Sequence, residues 1–303
     1  MEIRLAKEMG FCFGVKRAVE LVERTATQKG QVSALGALVH NQQVVQRLEA
    51  LGAKVVHSLD EVQGSAVVIA THGVPYRVIE EAKQRGLTVV DATCPYVRLI
   101  QQKARRLVEA GFQVILFGDQ GHTEVEGIVG WTDGKAYVVA SVEDLHMLPR
   151  AKKIGIVAQT TQSIKAFQDV VRRVVDDRLT NAAELVVHNT ICNATSARQS
   201  AAVKLARQVR VMIVVGGRNS ANTRRLAELC QQAGAATYHV ETPGELRASW
   251  FEGCDVVGVT AGASTPDWVI QDVVHALQSL ADEAVPLPLE EAPQKSPLPL
   301  GEG

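Results

Sequence analysis

The chain has 303 residues, 46% of them apolar and 4% aromatic, with 32 Lys and Arg against 33 Asp and Glu for a net charge of −1. A chain this long buries a large core and suits two or three domains, and its composition fits an α/β enzyme, not a disordered or fibrous protein. The balanced charge and the pI near 6.7 give no electrostatic reason to bind nucleic acid or anionic lipid. No apolar run reaches the roughly 18 residues that a bilayer span needs, and Met1-Glu2-Ile3-Arg4-Leu5-Ala6 is no signal-peptide core, so no membrane is expected and the cytoplasm is the expected compartment. Five widely spaced cysteines read there as thiols or ligands, not as a disulfide framework.

The predicted elements come three times in one order. Cys12 precedes an amphipathic helix over 15–22. A strand over 32–38 then runs into His40-Asn41, a helix covers 44–51, and a strand over 66–70 runs into Thr71-His72-Gly73, followed by a helix over 78–85. Cys94 repeats the series with a helix beginning near Tyr96, a strand over 114–118 before Gly121-His122-Thr123-Glu124, and a strand over 154–158 before Gln159-Thr160-Thr161. Cys192 repeats it again, with an amphipathic stretch over 197–209, a strand over 211–215 before Asn219-Ser220-Ala221-Asn222, and a strand over 255–259 before Ala263-Ser264-Thr265. The intervals Cys12 to His40, Cys94 to His122 and Cys192 to Ser220 are each 28 residues, as three diverged copies of one unit would leave. Strands alternating with helices imply parallel βαβ units, whose ligands bind beyond the carboxyl ends of the strands. The fold expected is α/β: three related units with parallel sheets around a shared centre. They divide as 1–94, with an N-terminal segment reaching that centre, 95–191 and 192–282. The Pro-rich segment 283–303 reads as a disordered tail, to which no function is assigned.

Each cysteine is placed at a helix N-terminus, where the helix dipole favours a thiolate. With no C-x-x-C spacing the three fit a zinc knuckle poorly. Thiolates from three separate units suit a cubic iron–sulfur cluster, with one iron left open to polarise a substrate oxygen. Cys230 and Cys254 lack the offset and read as ordinary buried thiols. His40, His72, His122, Ser220, Asn222 and Ser264 offer imidazole, amide and hydroxyl donors at strand ends, a set suited to phosphate oxygens. His57, His146, His188, His239 and His275 stand apart from the repeat and read as satisfied or solvated, and Lys103, Arg105 and Arg106 as a solvated helix face. Of the two acids in Glu124-Val125-Glu126, an extended turn would point one into the site and one away. Glu124 is taken as the inward one, a proton donor, and Glu126 as a helix-N-terminal acid.

Gly10-Phe11-Cys12-Phe13-Gly14-Val15, Leu38-Val39-His40-Asn41, Thr71-His72-Gly73, Asp91-Ala92-Thr93-Cys94-Pro95, Gly121 to Gly127, Gln159-Thr160-Thr161 and Asn189-Thr190-Ile191-Cys192-Asn193-Ala194-Thr195 together resemble the 4-hydroxy-3-methylbut-2-enyl diphosphate reductase family. The resemblance covers nearly everything before the tail. It implies a three-domain trefoil around one 4Fe-4S cluster ligated by Cys12, Cys94 and Cys192. It further implies reductive removal of the substrate hydroxyl as water, giving isopentenyl and dimethylallyl diphosphate. Glu124 resembles the proton source, assisted by Thr160 and His122; His40, His72, His122, Ser220, Asn222 and Ser264 resemble the diphosphate clamp. Where the family often reads Asn-Ser-Ser-Asn this chain has Ala221, whose backbone N–H remains available. Two spare cysteines are too few for a second four-cysteine cluster and no dinucleotide fingerprint is present, so electrons are expected from an external ferredoxin or flavodoxin. Two other classes share some of these features: a non-redox hydro-lyase with an open-iron cluster, which would need arginine clamps for carboxylates, and an iron or redox sensor, which would need only the cysteines.

Overall fold

The computed structural model describes residues 1–283; the predicted tail, beyond Glu283, lies outside them. Twelve strands and nine α-helices are described: β1 (Glu2–Leu5), α1 (Phe13–Lys29), β2 (Val32–Leu35), α2 (Gln42–Ala50), β3 (Ala53–Val56), β4 (Ala66–Ile69), α3 (Tyr76–Gln84), β5 (Thr88–Asp91), α4 (Pro95–Glu109), β6 (Gln113–Phe117), α5 (Thr123–Trp131), β7 (Tyr137–Val139), β8 (Lys153–Ala158), α6 (Ile164–Arg178), β9 (Glu184–Val187), α7 (Asn193–Ala206), β10 (Val211–Val215), α8 (Ala221–Gln232), β11 (Ala236–Val240), β12 (Val256–Ala261) and α9 (Asp267–Glu283). They form three four-stranded sheets ordered β3-β2-β4-β5, β7-β6-β8-β9 and β11-β10-β12-β1, in which every pair is parallel. The three orders are one order. Counting strands from each cysteine, the second lies outermost, then the first, the third and the fourth.

The inner strands explain themselves. Val32–Leu35, Ala66–Ile69 and Val211–Val215 are buried along their whole length, as strands covered by helices on both faces must be, and so they read in the sequence as apolar runs, broken only by Ser33, whose hydroxyl bonds the Gln63 backbone. Helices α1 and α2 cover one face of the first sheet, packing Ala18, Val22, Val44 and Leu48 with Val32, Ala34 and Val68; Ala82 of α3 joins Leu35, Val67 and Ile69 on the other face.

The third sheet departs from the predicted division. Its fourth strand is β1, paired from Glu2↔Val256 to Leu5↔Val259, so residues at the chain's start, assigned above to the first unit, build the third sheet. The cause is topological: among the described residues no strand follows β12, and the N-terminal segment pairs with its open edge. The same pairing delivers Cys12 to the station that Cys94 and Cys192 occupy after β5 and β9.

Candidate active site

Each cysteine is the residue that begins a helix. Cys12, Cys94 and Cys192 are the N-caps of α1, α4 and α7, and Cys12 Sγ accepts from the Val15 N–H at 3.5 Å. All three line one cavity together with His40, His72, His122, Glu124, Thr160, Ser220, Ala221, Asn222 and Ser264. Every residue singled out from the sequence therefore faces a single space. The close approach of α1 to Cys94 depends on Gly14, where a Cβ would lie 2.6 Å from Cys94 Sγ and 3.9 Å from Cys12 Sγ. Burial pushes the Cys94 thiol up to about 11, with the neighbouring Cys12 and Cys192 thiols adding to it, and outweighs the lowering by the Tyr96 and Val97 N–H groups at the start of α4. Three free, converging thiols make a soft donor set, and a bound metal centre deprotonates such thiols outright.

The anion end is built from three helix N-termini. Asn41, His122 and Ser220 cap α2, α5 and α8, accepting from Val44 N at 3.0 Å, Glu124 N at 3.1 Å and Thr223 N at 3.3 Å. Positive helix ends converge there, which favours an anion. The equivalence is shifted in the first unit, where the cap is Asn41 and not His40. His40 Nε2 and both polar atoms of Asn222 are buried with no hydrogen-bond partner, which suits donors awaiting a ligand. Ser264 Oγ donates to His40 O at 3.2 Å, and a Cβ on Gly217 would lie 2.2 Å from the same oxygen. The third unit's turns thus close onto the first unit's histidine loop.

The three histidines lie with one ring nitrogen each within 4.8 Å of the others, an arrangement open to a cation or an anion. Their protons decide. His122 Nδ1 accepts the Glu124 N–H, so its proton sits on Nε2 and that atom is a donor; a metal would need a lone pair there. Thr71 Oγ1 donates to Leu38 O at 2.9 Å, so its 3.4 Å contact with His72 Nδ1 makes that ring nitrogen the donor and leaves Nε2 to gain a second proton when an anion arrives. Burial lowers all three: His40 to about 4, with His122 and Arg224 adding to it, His72 well below its usual value, with His40 and His122 adding to it, and His122 against the opposing charge of Asp119, with Arg224 adding to the lowering.

Glu124 and Glu126 lie in the first turn of α5, not in an extended turn. Glu124 is 1% exposed, whereas Glu126 is exposed and lines two other cavities, one of them shared with His40 and His72; the two acids point away from each other on the helix. Both Glu124 oxygens are held by one residue: Thr160 N donates to Oε1 and Thr160 Oγ1 to Oε2, each at 2.7 Å. Burial nevertheless dominates and raises the carboxyl to about 7, against the lowering by those two bonds. Such a group holds a transferable proton at neutral pH.

Sequence reasoning missed Arg198. It is buried on α7 and donates from Nε and Nη2 to Gly10 O at 3.1 and 2.8 Å, and from Nη1 to Ala194 O at 2.9 Å. It ties the loop before Cys12 to the helix after Cys192. Its signal was available: it is the one charge in residues 193–203. Cys230 and Cys254 are buried thiols remote from the cavity lining.

The model of the LytB protein family matches residues 3–278. The 4-hydroxy-3-methylbut-2-enyl diphosphate reductase of Geobacter sulfurreducens is 49% identical over 278 residues, 92% of this chain and 97% of the relative; that of Geobacter metallireducens is 48% identical over 280 residues, 92% and 98%. Among solved structures, an (E)-4-hydroxy-3-methyl-but-2-enyl diphosphate reductase, described as the terminal enzyme of the non-mevalonate pathway, aligns with TM-score 0.67 at 42% identity over 92% of this chain and 100% of that one. The E-1-hydroxy-2-methyl-but-2-enyl-4-diphosphate reductase of Plasmodium falciparum aligns with TM-score 0.86 at 28% identity over 91% and 88%. With its fold, its repeat and almost its whole described length accounted for in this way, the chain belongs to the LytB family, that of the 4-hydroxy-3-methylbut-2-enyl diphosphate reductases.

Proposed function

We propose that this chain reduces 4-hydroxy-3-methylbut-2-enyl diphosphate, taking two electrons and two protons, to isopentenyl and dimethylallyl diphosphate and one water. The observation that carries the reading is a single cavity lined by three thiols, by residues at three helix N-termini that include the unpartnered His40 Nε2 and Asn222 amide, and by one buried carboxyl of raised pKa. The thiols of Cys12, Cys94 and Cys192 would hold a 4Fe-4S cluster; when bound, it supplies electrons and a Lewis-acidic iron for the substrate oxygen. His40, His72, His122, Ser220, Asn222 and Ser264 hold the diphosphate with hydrogen bonds and helix dipoles, and the backbone N–H of Ala221, at the start of α8, joins them. Glu124 delivers the proton that makes the hydroxyl leave as water, positioned by both Thr160 donors. Electrons come from an external one-electron carrier, a ferredoxin or flavodoxin. Cytoplasmic placement accords with the absence, among the described residues, of any helix long and apolar enough to cross a membrane.

The test is anaerobic turnover of the allylic diphosphate with and without a reductant. Product formation that requires reductant, with one 4Fe-4S cluster per chain by iron, sulfide and spectroscopy, is expected. Dehydration or isomerisation without reductant would favour the hydro-lyase, and no turnover of a fully loaded protein would favour the sensor.

A further inference from the structure

We infer that an acidic electron-carrier protein docks over the N-terminal turns of α1 and α4, on a patch formed by Phe13, Tyr96 and Leu99 and ringed by the basic residues of the cysteine-bearing helices. This rests on the reductase reading and adds where the electrons enter. The first observation is apolar exposure beside the thiols. Phe13, the residue after Cys12, is 68% exposed; Tyr96 and Leu99, on the helix that Cys94 caps, are 42% and 46% exposed. Large apolar side chains this open on a structured helix turn are surface that a partner can cover. Tyr96 is also part of the cavity wall, and Gly14 brings the first turn of α1 against Cys94 Sγ. The patch therefore begins at the residue after Cys12 and at the second residue after Cys94.

The second observation is charge. Of the chain's 32 basic and 33 acidic residues, ten and three lie on α1, α4 and α7, an excess of seven cations in a protein of net charge −1. Lys16 is exposed one turn after Phe13, and Arg17 reaches Thr93 O at 3.3 Å across the junction between α1 and α4. An excess of cations on the helices that carry the cysteines, in a protein neutral overall, steers an acidic partner toward those helices. Aromatic and apolar centres within a charged rim are the usual anatomy of such contacts.

Lys16→Glu and Leu99→Ser test the patch, with Lys54→Glu, exposed on the far edge strand β3, as the control. Binding of an acidic plant-type ferredoxin to the cluster-loaded protein is measured by calorimetry at low salt, and turnover is measured with that ferredoxin and with reduced methyl viologen. Lys16→Glu should weaken ferredoxin binding about tenfold at low ionic strength, the difference shrinking as salt rises, and Leu99→Ser should weaken it several-fold at all salt concentrations. Lys54→Glu should bind as the parent does, and viologen-driven turnover should stay within twofold in all three. Unchanged ferredoxin affinity in Lys16→Glu and Leu99→Ser, or an equal loss in Lys54→Glu, overturns the docking face. A parent protein that turns over no allylic diphosphate with viologen overturns the reductase reading instead.

Discussion

Replacing Thr160 by Val isolates the control of the Glu124 proton. The change keeps the volume and the backbone N–H bond to Oε1 at 2.7 Å but removes the hydroxyl bond to Oε2, also 2.7 Å. That hydroxyl favours the carboxylate, so its loss must raise the pKa further. A hydrogen bond to a charged group contributes about 1.5–3 kcal/mol, and about 1.4 kcal/mol corresponds to one pK unit, so the shift should be about one to two units upward from about 7. If the protonated carboxyl delivers the proton, kcat falls on the alkaline side as Glu124 ionises, and the midpoint of that limb reports its pKa in the substrate complex.

The measurement is anaerobic kcat from pH 5.5 to 10 with a diffusible reductant at saturation. The parent should show an alkaline limb and Thr160→Val should show it about one to two units higher. Thr160→Ser, which restores the hydroxyl, should return it to the parent position. An alkaline limb at the same pH in all three proteins would refute the assignment, because no other residue bonds both Glu124 oxygens.

The raised Glu124 pKa means that the folded state favours the protonated form: its stabilisation is present below the unfolded value of 4.5 and is lost as pH rises through about 7. Glu124→Gln should therefore lose less thermal stability than the parent between pH 5 and 8, while turnover drops by roughly 10² to 10⁴; a parallel decline of the two melting points would contradict the burial argument. Gly14→Ala puts a Cβ 2.6 Å from Cys94 Sγ and should reduce cluster loading, read as iron and sulfide per chain, with normal loading counting against three convergent ligands. Ala221→Ser adds a hydroxyl at the first position of α8 beside the unpartnered Asn222 and should tighten diphosphate binding by about 0.5–1.5 kcal/mol; calorimetry showing no gain would place that side chain away from the anion. Binding should take up a proton at His72, whose Nδ1 already donates to Thr71, so calorimetry in two buffers of different ionisation enthalpy should give about one proton fewer for His72→Asn, and equal uptake would move the proton elsewhere.

The inner strands were legible because they are buried on both faces: the predicted 114–118, 154–158 and 211–215 correspond to β6, β8 and β10 within one residue at either end. The edge strands were not. Ala53–Val56, Thr88–Asp91 and Glu184–Val187 carry Lys54, Asp91 and Glu184 on positions that face water, and a short, half-exposed strand with a charge has neither an apolar run nor a clean alternation to show. β1 was invisible for a further reason: Glu2-Ile3-Arg4-Leu5 alternates, but nothing local says that its partner lies more than 250 residues away. At the site, residue types and the shared offset located the donors, while the choice of Glu124 over Glu126 came out right from a local geometry that was wrong, an extended turn in place of the first turn of a helix. Arg198 carried a signal that only packing could interpret, because a buried arginine serving backbone carbonyls looks in sequence like any surface arginine.

The constant interval of 28 residues has a structural cause that the helices alone do not supply. Helices α1, α4 and α7 have 17, 15 and 14 residues, so a fixed helix length cannot set it. Both ends of the interval are anchored in the same cavity: the cysteine begins the helix that runs away from it, and the inner strand returns, so that the polar residue stands at the carboxyl end of that strand. Any net gain or loss in the helix must be compensated in the connection to the strand, or the polar residue slips off the site. The rest of each unit also returns to the cavity, at His72, Thr160 and Ser264, but by way of an outer strand. Its outer strand and surface helices can lengthen freely, and the intervals from Cys12 to His72, Cys94 to Thr160 and Cys192 to Ser264 are accordingly 60, 66 and 72 residues. Loop closure penalises such insertions only weakly. Site geometry therefore fixes the two ends of every interval, and the variable spacing marks the path the chain takes around the outside between them.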